Sequence, residues 1–253
     1  QGFTGQVIRF RLTYQMFKEN APKSIIAKIS HPDPGLRKEL SDGNFYKREI
    51  NFYKKIANKT DIRTPRCYYA ALDEETGDSV LLLEDLQNGR IGDTIRGCSG
   101  QEAERIAEYL VPLHAAWWEN PELESMDWVR TLRLLDDPDV KGNWQQHMNN
   151  SWCRFTGKFA DRIPTPIKEA WSLFVQHRAR IRRQALVPPL TLCHGDYRLE
   201  NLFFYESKDD SQLVVFDWQG LIQAQGAFDL SYCLILGLEP ELRREVEKDL
   251  LQN

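Results

Sequence analysis

Along residues 7–14 apolar and polar side chains alternate, with Ile8, Phe10, Leu12 and Tyr14 on one side and Arg9, Arg11 and Thr13 on the other. A repeat of two is that of a strand with one face in a core. A second strand is expected at 24–30 (SIIAKIS), after the turn residues ENAPK. From 43 to 57 the spacing changes: Phe45, Ile50, Tyr53 and Ile56 recur at roughly helical intervals. CYYAALD and SVLLLEDL then read as two strands of a hairpin across the turn EETGD. Two strands, a helix and two more strands make a small α+β unit ending near Leu86.

Beyond it the pattern is mainly helical. Ser99 and Glu102 have capping-box spacing, and Ala103, Ile106, Ala107, Leu110, Leu113, His114 and Trp117 share the face that follows. Thr165-Pro166 opens another helix, with proline suited to its first position, and Ile167, Ala170, Trp171 and Phe174 form its apolar face. Residues 119–163 carry aromatic side chains (Trp128, Trp144, Trp152, Phe155, Phe159) but few periodic signals. HRARIRR at 177–183 reads as a solvated helix face. Short strands are expected at LTLCH, and at LFFYE paired with LVVFDW across the polar turn SKDDSQ.

Composition narrows the class. The 253 residues are 42% hydrophobic and 28% charged, as in an ordinary globular protein. A net charge of −4 argues against nucleic acid, which calls for a basic face. Five scattered cysteines without a C-x-x-C pair suit reduced thiols in a cytoplasmic protein and no zinc site. No apolar run approaches the ~18 residues of a membrane span, so no membrane partner is expected. The chain starts inside a glycine turn and stops inside a helical pattern, as a fragment would.

The stretch LCHGDYRLENLFF carries the chemistry. Asp196 and Asn201 stand at the Asp-x4-Asn interval that phosphoryl transfer uses: one carboxylate takes or orients the proton of an attacking hydroxyl, and an amide oxygen holds magnesium. Alone, that interval is equally a polar turn between strands. Sixteen residues past Asn201, Asp217 ends the apolar strand LVVFD, where a second metal-binding carboxylate would sit. Lys28, in an otherwise apolar strand, and Glu49, on the next helix, match the ion pair that steadies nucleotide phosphates, although each also reads as an ordinary surface charge. GFTGQV, with Gly2 and Gly5, would let backbone N–H groups approach phosphates closely.

These residues resemble a known family. HGDYRLENLFF, VFDWQG, GAFDL, LLLEDL and the Lys28/Glu49 pair are similar to the aminoglycoside phosphotransferase and choline kinase superfamily. GFTGQVIRFRLTY and TPRCYYAALD resemble its ecdysteroid kinase-like branch, and the likeness spans about residues 2–240. The resemblance implies a two-lobed, protein-kinase-like α+β fold. Residues 1–87 would be a nucleotide-binding lobe lacking its first strand, and 88–253 a catalytic and acceptor-binding lobe lacking its last helices. It implies ATP and Mg2+ as cofactors, Asp196 as catalytic base, Asn201 and Asp217 as metal ligands, and Lys28 on the ATP phosphates. His194 and Asp229 would brace the catalytic loop, and the backbone from Glu84 to Leu86 would meet adenine at a hinge.

Eleven residues separate Asp217 from Asp229 without an Ala-Pro-Glu, too few for a peptide platform. The expected partner is therefore a small-molecule hydroxyl acceptor, and the expected protein a small-molecule kinase. Nine acidic and eleven basic residues in 119–190 disfavour polycationic aminoglycosides. A non-catalytic ATP-binding pseudokinase is the alternative. A metal-dependent hydrolase on His194, Asp196 and Asp217 comes third, for want of a second histidine ligand.

Overall fold

The structure is a computed structural model and describes residues 4–16, 19–131, 138–205 and 213–252. Strands β1 (Gly5–Arg11), β2 (Ser24–Ser30), β3 (Cys67–Leu72) and β4 (Ser79–Glu84) form one antiparallel sheet in the order β1-β2-β4-β3. Between β2 and β3 lie helices α1 (Pro34–Asp42) and α2 (Phe45–Asn51), the second continuing in wider π-helical winding over Phe52–Ile56. Ile50 of α2 packs on Leu81 and Leu83 of β4. The sheet register sets Lys28 opposite Val7 on one side and Leu81 on the other.

The remainder is mainly helical: α3 (Gly100–Ala116), α4 (Pro138–Phe159), α5 (Thr165–Ala185), α6 (Ala227–Gly237) and α7 (Pro240–Gln252). Two small sheets lie among these helices. One has the order β5-β8-β9, from Gly89–Ile91, Leu202–Tyr205 and Leu213–Val215. The other has the order β6-β10-β7, from Arg130–Thr131, Ile222–Ala224 and Thr191–Cys193. Ile106, Leu110 and Leu113 of α3, with Trp117 at its C-cap, share a core with Leu192, Leu202, Val215 and Trp218. Phe52 and Ile56, both fully buried, join that same core, so the end of α2 is anchored in the helical part.

Several expectations hold, among them the strand at Ser24–Ser30, the 67–84 hairpin and the β8–β9 pairing. The Ser99/Glu102 capping box is formed in both directions. Others change. β1 ends at Arg11 rather than at residue 14 and lies at the edge of its sheet. Phe10 and Tyr14 are therefore 45% exposed, where alternation suggested a half-buried face. The helix expected over 43–57 starts at Phe45, because Gly43 caps α1 and Asn44 turns left-handed (φ +59°) between the two helices. Helix α1 itself was unforeseen; Asp33 caps it by accepting from the Leu36 amide, with Pro34 at its start. Helix α4 was unforeseen too, and its Trp152 stacks on Trp171 of α5 (centroids 4.5 Å, 10°). Ile167 is half exposed, so the apolar face drawn for α5 is not wholly buried. Most of 177–183 is solvated as expected. The turn SKDDSQ and Gly2 lie outside the described residues.

Candidate active site

The loop after β7 alternates. Tyr197 and Leu199 point into the core, at 0% and 1% exposure, while Asp196, Arg198 and Glu200 line a cavity. Two apolar anchors between three polar groups answer why acids and an arginine stand between buried runs. The Tyr197 hydroxyl donates to the Ile106 carbonyl (3.0 Å), pinning the loop to α3. Gly195 makes the turn possible. Its φ is +81°, and a Cβ there would come 2.0 Å from the Gly220 carbonyl.

Asp229, at the start of α6 and fully buried, holds the loop from beneath. It accepts from the amides of His194 (2.7 Å) and Gly195 (2.9 Å), and its Oδ2 lies 3.2 Å from His114 Nε2. The His194 ring is also occupied on both sides. Its Nδ1 accepts from the Asp196 amide (3.2 Å) and its Nε2 donates to the Phe216 carbonyl (3.0 Å). That is the neutral tautomer with no nitrogen to spare, which rules out His194 as the metal ligand a hydrolase would need. Asn201 closes the loop, donating from Nδ2 to the Asp196 carbonyl (2.8 Å) and Oδ2 (3.0 Å). The Phe216 amide donates to the Asn201 carbonyl (3.1 Å), so the residue before Asp217 is tied to the loop.

Lys28 Nζ donates to both Glu49 oxygens (2.6 and 2.8 Å) and to Asp217 Oδ1 (2.8 Å). Glu49 and its neighbour Arg48 are buried, not members of a solvent face. Burial alone would lower the Lys28 pKa, but the carboxylates of Glu49 and Asp217 together hold it above the ordinary lysine value. Burial, with the Asp217 carboxylate nearby, holds the Glu49 carboxyl above its ordinary value despite the Lys28 ammonium beside it. One cation between two carboxylates leaves the cluster one negative charge in excess. Helix α2 is held to the turn after Asp217 by Arg48 Nε, which donates to the Gln219 carbonyl (2.6 Å), and by Phe52 stacked on Trp218 (3.7 Å, 5°). Asp217 itself is left-handed, at φ +67° and ψ +62°, a conformation a non-glycine residue adopts only when its surroundings impose it.

A cavity of about 470 Å³ gathers Gly5, Lys28, Glu49, Asp196, Asn201 and Asp217 on its walls. Gly5 opens β1, where a Cβ would come 2.2 Å from the Ile29 carbonyl. A second cavity of about 370 Å³ shares Val7, Lys28 and Asp217 with the first and is mostly apolar, with Ile26, Leu83 and Phe203 among its walls. Glu84 and Leu86 line this second cavity. The Glu84 amide already donates to the Arg66 carbonyl (2.8 Å), and its carboxylate takes Arg63 and the Arg66 amide. Asp85, between them, ties the strand ends together through Arg9 (2.9 Å) and Ser24 (2.6 Å).

Sequence reasoning missed three groups near Asp196 and its brace. Arg198 Nε lies 3.4 Å from Asp196 Oδ1. The Tyr232 hydroxyl lies near the Asp196 carboxylate, and burial together with that carboxylate raises the phenol's pKa. His114 meets Asp229 from 115 positions away. The even spacing of Asp196, Arg198 and Glu200 was a usable signal for the first; nothing in the sequence pointed to the other two. As for a metal, Asp217 and the Asn201 amide oxygen are hard donors of the kind magnesium takes, and the excess negative charge around Lys28 favours a cation. The residues present fit that ion.

The family model of the ecdysteroid kinase-like family matches residues 1–253. Similar solved structures include amicoumacin kinase hAmiN in complex with AMP-PNP, Ca2+ and Ami, at 13% identity and TM-score 0.55, covering 100% of this chain and 70% of that one. APH(2")-IIIa in complex with GDP and kanamycin is 12% identical, with TM-score 0.56 and coverage of 90% and 74%. An aminoglycoside-3'-phosphotransferase of type VIII is 15% identical, with TM-score 0.51 and coverage of 96% and 84%. At such identities the likeness shows the fold, which is kinase-like: an N-terminal antiparallel sheet with a mainly helical remainder. None of the curated proteins matched the chain. No helix among the described residues is long and apolar enough to cross a membrane.

Proposed function

The chain belongs to the ecdysteroid kinase-like family, and from that premise we propose that it moves the γ-phosphoryl group of Mg·ATP to a hydroxyl of a small molecule. The observation that carries this reading is the meeting of Lys28, Glu49, Asp217, Asp196 and Asn201 around one cavity, from four separate segments of the chain. Adenine would lie in the apolar cavity against Ile26, Leu83 and Phe203, near the backbone of Glu84 to Leu86, between residues 1–87 and 88–253. The triphosphate would then run into the polar cavity that Lys28 and Asp217 share with it.

Each residue has a separate task. Lys28, held by Glu49, faces the phosphates as a fixed cation. Asn201 and Asp217 would hold magnesium, which when bound neutralises charge on the phosphate oxygens. Asp196 receives the acceptor's hydroxyl proton as the acceptor oxygen bonds to the γ-phosphorus. The bond from that phosphorus to the bridging oxygen breaks, and ADP leaves with the electron pair. His194 and Asp229 touch no reactant; they keep Asp196 in place. The strained Asp217 backbone is consistent with a side chain held where a ligand needs it.

The test is phosphate transfer from ATP to a panel of amino alcohols, sterols, hydroxyacyl compounds and sugars, with Mg·ATP affinity measured alongside. Asp196→Asn keeps the shape and removes the proton-accepting charge, so affinity should hold while transfer falls by about 10²–10⁴-fold. Transfer unchanged in that variant would reject the mechanism. A parent that binds Mg·ATP yet phosphorylates nothing would point to a non-catalytic nucleotide-binding module.

A further inference from the structure

The cavity that holds Asp196 is short of free positive charge. Among the described residues, Lys28 and Arg198 are the cations on its walls, against Glu49, Asp196, Glu200 and Asp217. Lys28 is committed, with three carboxylate oxygens within 2.8 Å. Arg198 is not. It stands 3.4 Å from Asp196 and 4.0 Å from Glu200, longer than the ~2.7–2.9 Å of a good charge-assisted bond. Its Nε is shielded from solvent and has no hydrogen-bond partner, although a buried N–H ordinarily has one. Glu200 is not placed to complete it, because that carboxylate is already taken by the Thr94 amide (3.0 Å) and hydroxyl (2.7 Å).

We propose that Arg198 binds the terminal phosphoryl group of the nucleotide, and that its contact with Asp196 is the resting position it leaves when that group arrives. This rests on the nucleotide reading above and adds a residue and an order of events to it. The loop's alternation puts Arg198 on the same face as Asp196, two residues on, so a phosphoryl group within reach of the acceptor bound at Asp196 is within reach of Arg198 as well. A planar guanidinium matches two phosphate oxygens at once, which an ammonium does not. In the empty site Arg198 partly neutralises Asp196; once it turns to the phosphate, the carboxylate is released for the acceptor's hydroxyl. The group that moves thereby exposes the base that its transfer requires.

The experiment compares two nucleotides that differ by the group in question. ADP and AMP-PNP, each with Mg2+, are titrated into the parent, Arg198→Met, Arg198→Lys and Lys28→Met, with the unfolding midpoint of each variant recorded. Arg198→Met should weaken AMP-PNP by about ten- to a hundred-fold, the equivalent of one charged hydrogen-bonding group, and leave ADP unchanged. Arg198→Lys should recover part of the loss, and it carries the decision if the methionine variant does not fold. Lys28→Met should weaken both nucleotides, since both have the phosphates it faces. Equal losses for ADP and AMP-PNP in the Arg198 variants, or no loss for either, would overturn the assignment while leaving the nucleotide site standing. A parent that binds neither nucleotide would overturn both.

Discussion

Asp229 is where the loop's geometry can be tested as free energy. The carboxylate is fully buried and accepts the His194 amide at 2.7 Å and the Gly195 amide at 2.9 Å, one on each oxygen. Asp229→Asn preserves size but turns one acceptor into an NH2 group. Whichever way the amide is flipped, one backbone N–H then faces another donor. A buried donor without a partner costs about 1–3 kcal/mol, and the surviving bond loses its charge assistance, roughly half its strength. The sum is about 2–4 kcal/mol, a large part of the roughly 5–15 kcal/mol that holds a typical domain together. Urea unfolding followed by tryptophan fluorescence reads this directly, since Trp117 and Trp218 are at most 1% exposed. Asp42→Asn is the control; its ion pair with Lys38 is solvent-exposed, and such pairs contribute at most about 1 kcal/mol. If Asp229→Asn cost no more than Asp42→Asn, the loop would not depend on Asp229, and the account of how Asp196 is positioned would fail.

Asn201→Ala removes two donors from Asp196 and the amide oxygen assigned to magnesium. The Mg2+ concentration needed for half-maximal ATP binding should rise, and an unchanged magnesium titration would contradict that role. Phe52→Ala should destabilise the protein by about 3–5 kcal/mol, the usual cost of emptying a buried phenylalanine site, because the ring is 0% exposed and stacks on Trp218; calorimetry measures it. Alkylation at pH 8 should modify Cys153, which is exposed, well before Cys98, whose thiol is pushed up to about 11 by burial and by Glu102. The sign follows: a raised pKa favours the protonated folded state, so this contribution to stability is complete below the ordinary thiol pKa and lost as pH rises through the folded value. Equal labelling rates, followed by mass spectrometry of the peptides, would contradict that burial.

Local chemistry was the legible part. The Ser99/Glu102 box, the 67–84 hairpin and the spacing around Asp196 depend on residues close in sequence, and they stand as the pattern indicates. Helix α1 was hidden because Leu40 is its only fully buried residue, which leaves almost no apolar stripe to detect. The burial of Arg48 beside Glu49 was invisible for another reason: charged neighbours on a helix look alike until the Gln219 carbonyl is brought up against one of them. Tyr232 and His114 reach their carboxylates only through the packing of α6 and α3, and no spacing rule spans such separations. The strand expected over 7–14 stopped early because alternation reports only that a chain is able to pair, and a partner is available only as far as the neighbouring strand runs.

The ion cluster at Lys28 also imposes a schedule on biosynthesis. Glu49 follows Lys28 by 21 residues, but Asp217 comes 189 residues after it, and Trp218 and Gln219 later still. At the ~5–20 residues per second of translation, roughly eight to thirty-four seconds separate the first partner from the second. Throughout that interval a nascent chain carries a sheet and a helix whose Phe52 ring and Arg48 guanidinium await groups not yet made. Such an intermediate presents an apolar surface beside an unsatisfied charge, the sort of species that chaperones retain and proteases remove. A product cut short before residue 217 should therefore be degraded far faster than the full 253-residue chain.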